Sequence, residues 1–172
     1  IESIYWIDVN EGEVMINLNG YTWNLNDREI TVTSTLSIYD TSANETGKIG
    51  SDQNVIYLGN PEDGSQFNLY SGTLESRGAT NWTLDASWGS ANLYGGTIKG
   101  NGAGVMYYLS LPNVIKVIGT EINSGAGQPQ CRGVLVSEAS AAAIVAVSEY
   151  EGDSLNVRID VINTPGKMTI IR

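Results

Sequence analysis

The side chains of this chain that could take part in chemistry are mostly acidic or aromatic. There are 19 Asp and Glu residues, 4 Trp and 9 Tyr, against no His and one Cys. Two carboxyl groups about 5 to 10 Å apart can cleave a glycan by acid–base chemistry. The candidates for such a pair are Asp40, Asp52, Glu62, Asp63, Asp85, Glu121, Glu149 and Glu151. No two fall at equivalent positions of the repeat described below, so they read as solvated turn residues and no catalytic residue is assigned. The absence of histidine excludes a Ser-His-Asp triad, and with Cys131 alone it excludes Cys/His zinc centres and an intrachain disulfide. "DTSANE" from Asp40 and "NPEDGS" from Asn60 are rich in oxygen ligands, but neither follows an EF-hand loop or a calcium-binding nonapeptide. No metal and no cofactor are expected.

Aromatic rings are the second resource. The stretch "TNWTLDASWGS" carries Trp82 and Trp88 in what reads as a loop-like insertion, while Tyr70 and Tyr94 occupy matching positions of two similar phrases. Flat rings with a polar tip suit a half-exposed surface that meets sugars. Trp82, Trp88, Tyr70 and Tyr94 are therefore the candidate carbohydrate-binding residues, set against a plainer role in which tyrosines line an outer wall and tryptophans cap loops. "NET" at Asn44 and "NWT" at Asn81 are glycan acceptors only in a eukaryotic secretory path.

The elements that must position these residues are announced by a repeat. "NLYSGTLESRG" from Asn68 is followed by "NLYGGTIKGNG" from Asn92, an offset of 24 residues. That places Asn68 over Asn92, Leu69 over Leu93, Tyr70 over Tyr94, Gly72 over Gly96, Thr73 over Thr97 and Leu74 over Ile98. Such a period marks units that cannot bury an apolar face alone and so stack upon their neighbours. Looser copies begin at Val114 and Ala143, with Val117 aligned to Ala146. "SAAAIVAV" is open between a strand and a short helix, with the strand preferred. Alternating apolar residues predict an inner ladder of Ile16, Leu18, Leu25, Val32, Leu36, Ile38, Val55, Leu69, Leu74, Leu93 and Ile98, continued by valines and isoleucines from Val117 to Ile170. Asn19, Asn68 and Asn92 are expected to form amide ladders or to take left-handed backbone angles, and Gly20, Gly72, Gly96 and Gly119 to sit at bends.

Three phrases near the start carry a resemblance: "INLNGYT" from Ile16, "LSIYDTS" from Leu36 and "GKI" from Gly47. They resemble the opening rungs of bacterial and phage right-handed parallel β-helices of the pectin-lyase-like superfamily, where the phrases read like "DLNGKT", "LTIxDS" and "GxI". Asn17 stands where that pattern has Asp, and Tyr21 where it has Lys. The resemblance covers residues 13–100 best. It implies an all-β, single-stranded right-handed parallel β-helix of about seven rungs, and it permits enzymes, adhesins and viral spikes alike.

The whole chain agrees with that class. Twenty glycines and many Thr, Ser, Asn, Val, Ile and Tyr favour strands joined by tight turns. A net charge of −10 with no basic patch speaks against nucleic acid as a partner. No apolar run approaches the roughly 20 residues needed to span a bilayer. Residues 1–12 are expected to form an N-terminal cap or docking segment and residues 13–172 the β-helix. A first residue other than Met, and a last phrase "KMTIIR" that reads like a rung strand, suggest a processed or excised piece or a homo-oligomer, either trimer or filament. The expected function is an extracellular structural or attachment module of a phage fibre or bacterial surface protein, with cell-surface polysaccharide as its partner. The alternatives are a polysaccharide-cleaving tailspike-type domain and a self-assembling filament subunit.

Overall fold

A computed structural model gives residues 1–2, 5–59, 64–86, 88–101 and 120 with their side chains, and beyond residue 101 the backbone of seven further strands. The alternation Glu13-Val14-Met15-Ile16-Asn17 sends Val14 and Ile16 to one face and the exposed Glu13, Met15 and Asn17 to the other, as a strand with one buried face requires. The same pattern recurs around each coil. An entering strand β1 (Ile7–Val9) precedes the first coil of β2 (Glu13–Asn17), β3 (Thr22–Asn26) and β4 (Ile30–Val32). The second coil is β5 (Thr35–Tyr39), β6 (Lys48–Ser51) and β7 (Ile56–Leu58), and the third is β8 (Gln66–Leu69), β9 (Thr73–Ser76) and β10 (Trp82–Asp85). The fourth is β11 (Ser90–Leu93), β12 (Thr97–Gly100) and β13 (Ala103–Tyr107). Backbone strands β14 (Ile115–Val117), β15 (Glu121–Asn123), β16 (Val134–Val136), β17 (Ile144–Val147), β18 (Ile159–Val161) and β19 (Thr169–Ile171) follow.

Strands from successive coils pair in parallel to make three sheets. Sheet 1 runs β1-β4-β7-β10-β13-β16-β18, sheet 2 runs β2-β5-β8-β11-β14-β17-β19, and sheet 3 runs β3-β6-β9-β12-β15. The chain is an all-β parallel solenoid with no helix among the described residues. About four turns are seen through their side chains, where the sequence predicts about seven rungs; β14 and β16 to β19 prolong the two larger sheets and β15 prolongs sheet 3. "SAAAIVAV" supplies β17, so its strand reading holds. Among the described residues no helix is long and apolar enough to cross a membrane.

Register stacks like upon like. Leu36, Phe67 and Ala91 share one column of sheet 2 and Ile38, Leu69 and Leu93 another, while Ile30, Ile56 and Leu84 share a column of sheet 1. All nine are fully buried. Each buried Leu, Ile or Phe contributes about 1.5–3 kcal/mol relative to exposure. Of the predicted inner ladder up to Ile98, Ile16 alone is only half-buried.

The bends between sheets 2 and 3 depend on glycine. Gly72 and Gly96 have φ of +86° and +77°, and a Cβ on Gly96 would lie 2.4 Å from the carbonyl oxygen of Gly72 in the coil before it. Coils can follow each other this closely only because no side chain intervenes. Gly119 lies outside the described residues.

The predicted N-terminal segment runs along the first coil. Ile1 accepts a hydrogen bond from the Asn24 N–H at 2.8 Å, Glu2 bridges Asn24, and β1 pairs with β4.

Candidate functional site

The outer side of sheet 2 and the bend that follows it bring together the residues of the repeated phrase. β8 and β11 pair with Asn68 opposite Asn92 and Leu69 opposite Leu93. The leucines point inward, so the asparagines between the inward positions point outward. Asn92 Nδ2 donates to Asn68 Oδ1 at 2.9 Å, and Asn68 Nδ2 donates onward to Ser37 Oγ at 3.1 Å. Gln66 Nε2 adds a bond to Asn68 Oδ1 at 3.1 Å. These bonds form an amide ladder that runs along the solenoid axis.

Two residues further along each strand, on the same side, stand Tyr70 and Tyr94. Their main chains stay in step with the sheet, since Tyr70 N–H donates to Ile38 O and Tyr94 N–H to Leu69 O. The two rings stack with centroids 4.9 Å apart and planes 9° from parallel. They are 47% and 41% exposed, so this is a surface stack and not a core contact. An aromatic column thus lies directly beside a column of amides.

The same bend holds the phrases that resemble the pectin-lyase-like pattern, and their contacts are structural. Asp40 Oδ1 accepts hydrogen bonds from Gly20 N–H at 2.8 Å and Ser42 N–H at 3.0 Å. Asp40 Oδ2 accepts from the Ser42 hydroxyl at 3.0 Å and from Gly47 N–H. Gly20, Asp40 and Gly47 come one from each phrase, so the three phrases meet in a single buried knot. Burial opposes the Asp40 charge, but the N–H groups of Ser42, Gly47 and Gly20 and the Ser42 hydroxyl outweigh it and hold its carboxyl below the ordinary value. Asp40 therefore acts as a clamp on the loop 41–47.

The tryptophans lie elsewhere. Trp82 is the first residue of β10 in sheet 1, half-buried, with its N–H donating to Asn54 Oδ1 at 2.9 Å, so it belongs to a strand and not to a loop as predicted. Trp88 precedes β11 whereas Tyr94 follows it, which puts the two at opposite ends of the sheet 2 strands. Of the four predicted aromatic residues, only Tyr70 and Tyr94 are brought into ring contact.

Of the predicted carboxylates, Asp52 pairs with Arg77 at 2.7 Å. Asp85 stands on the outer side of sheet 1, opposite Tyr57, which is in turn opposite Thr31. Glu29, which the sequence does not single out, lies two residues before Thr31. Burial first, then the nearby Asp85 charge, push the Glu29 carboxyl above its ordinary value against a hydrogen bond to Asn54. Burial and then the charges of Asp85 and Glu29 also raise the Tyr57 phenol, against a hydrogen bond from Trp88. Glu29 and Tyr57 sit in coils whose sequences do not repeat, so no spacing marks them. Glu62, Asp63, Glu149, Glu151 and Cys131 lie outside the described residues, and Glu121 is placed by backbone only, opposite Thr97. Among the described residues no three His, Cys, Asp or Glu side chains are grouped to hold a metal ion.

Fold and surface together define a parallel β-solenoid with an exposed tyrosine stack beside a buried Asn68 and a half-buried Asn92. Comparison with protein-family models, with curated proteins and with solved structures finds no match to this chain.

Proposed function

We propose that the chain is a non-enzymatic extracellular attachment module, of the kind built into phage fibres and bacterial surface proteins, and that it binds cell-surface carbohydrate along sheet 2. The observation that carries this reading is the exposed Tyr70–Tyr94 stack beside the Asn68–Asn92 ladder. The exposed ring surface and phenol hydroxyls of the stack offer apolar contact and hydrogen bonds to a sugar, and the half-buried Asn92 amide stands beside them. Because Asn68 and Asn92, like Tyr70 and Tyr94, lie one coil apart, two successive sugar units are met along the solenoid axis. The net charge of −10 disfavours a polyanionic glycan, so the ligand is a neutral one. The three clamped phrases support membership of the pectin-lyase-like β-helices, a class compatible with this role.

Retention on immobilised bacterial surface glycans tests the proposal. Joint Tyr70→Ala and Tyr94→Ala replacement is expected to weaken binding at least about tenfold, about 1.4 kcal/mol, with an unchanged far-ultraviolet dichroism spectrum. Unchanged retention would show that the face is wrong.

A second reading, polysaccharide cleavage, draws on Glu29 and Asp85. One carboxyl is held above its ordinary value beside another, the asymmetry an acid and its partner need. Release of new reducing ends that disappears in Glu29→Gln would replace the binding reading with this one.

A further inference from the structure

We propose that the outer edge of β2 is a docking strand for a second copy of this chain, which adds head to tail by laying its β19 alongside. This interface is independent of the carbohydrate reading.

The first coil is unevenly covered. In sheet 1, β1 lies against β4, and beside β3 runs the Ile1–Glu2 main chain. In sheet 2, β5 is the one partner of β2 among the described residues. The consequence is visible in the core columns. Leu36, Phe67 and Ala91, and Ile38, Leu69 and Leu93, are all 0% exposed, whereas Val14 and Ile16, which begin the same two columns, are only half-buried. A groove of about 390 Å³ opens there, lined by Ile1, Ile16, Leu18, Tyr21 and Trp23 among others. Of the eight large hydrophobic residues that the described part exposes, Ile1, Tyr5, Trp6, Met15 and Tyr21 all fall within its first 21 residues. Ile1 and Tyr21 line the groove itself, so exposed apolar surface gathers there as at an interaction site.

Backbone geometry states what kind of partner fits. Leu18 N–H donates to Tyr39 O, and Gly12 O accepts from Thr35 N–H, so the even-numbered residues of β2 face β5. Alternation then turns the N–H and C=O groups of Glu13, Met15 and Asn17 towards the open edge. An edge of this sort recruits another extended strand.

Two features select a second copy. β19 is the opposite edge of the same sheet among the described residues, and every strand pair along it is parallel. A copy placed with β19 beside β2 continues the ladder with the same strand direction. Charge is complementary as well. Residues 1–26 contain the acids Glu2, Asp8, Glu11 and Glu13 and no Lys or Arg, with Glu11 just before β2 and Glu13 at its start, whereas Lys167 and Arg172 bracket β19 in sequence. The contact is heterologous, so it generates an open chain of copies unless the rotation closes it into a ring.

Sedimentation velocity of the full chain over a wide concentration range tests this. Sedimentation is expected to speed up with concentration. Met15→Pro should abolish that rise, because the Met15 side chain is exposed and its N–H faces the open edge, where proline removes a docking donor but no ladder bond. Glu11→Lys with Glu13→Lys, and separately Lys167→Glu with Arg172→Glu, should each sediment as monomers, and mixing the two should restore assembly. A wild-type chain that stays monomeric at every concentration overturns the proposal. So does a folded Met15→Pro chain that assembles like wild type. Should Met15→Pro fail to fold, the charge-exchanged mixture decides, and a mixture that stays monomeric overturns it.

Discussion

Asp40 and Glu29 are both shielded carboxyl groups, and their surroundings push them in opposite directions. Asp40 is surrounded by donors, and its folded pKa is depressed below the ordinary 3.8. Its contribution to stability is therefore complete above that value and is lost as pH falls through the folded pKa. Asp40→Asn, which removes one acceptor and leaves a buried N–H unmatched, is expected to cost about 1–3 kcal/mol in a urea titration at neutral pH. It should also flatten the acid limb of the stability curve. Glu29 has the reverse sign. Its folded pKa lies above the ordinary 4.5, so the folded state binds the extra proton and stability declines as pH rises from that value through the raised one. Glu29→Gln is expected to remove this decline and to leave the neutral-pH chain at least as stable, which the same titrations measure. At this scale the sequence was partly legible. "LSIYDTS" and "GKI" point to a shared fold element, but which atoms Asp40 holds depends on three segments meeting, and Glu29 carries no pattern at all.

At the scale of strands and bends, the repeat was readable because each coil must present the same residue type at the same place to fill a column. The offset of 24 residues aligns Asn68 with Asn92 and Thr73 with Thr97, and the strands pair in that register. The alignment of Val117 with Ala146 is likewise the observed pairing. Sheet 1 was harder to read, because the coil length between its strands varies with the loops. Ile30, Ile56 and Leu84 form a fully buried column that no fixed period announces. Trp82 was misplaced for the same reason, since the surrounding Asn, Thr and Ser look like loop composition although the strand pairs with its neighbours. Two substitutions probe the column and the bend. Leu69→Ala should cost about 2–5 kcal/mol through loss of transfer energy and a cavity. Gly96→Ala, which forces a Cβ towards the Gly72 carbonyl at positive φ, should cost at least about 1–2 kcal/mol. Thermal or urea unfolding of each variant checks both values.

For the molecule as a whole, parallel stacking ties the tyrosine face proposed to meet sugar and the edge proposed for docking to one geometry. Columns of tyrosine and amide rise along the axis only if each coil lies in register upon the last, and an edge can accept β19 only if the strands share a direction. Distances between spin labels test this geometry most directly, with Cys131 replaced so that labels attach only where intended. One label stays at Met15 and the second is moved from Ser37 through Asn68 and Asn92 to Lys116, residues that share a single column. The mean separation is predicted to grow by about 4.8 Å at each step. Distances that fail to increase in that order, or that shorten between Asn68 and Lys116, would contradict the stacked coil.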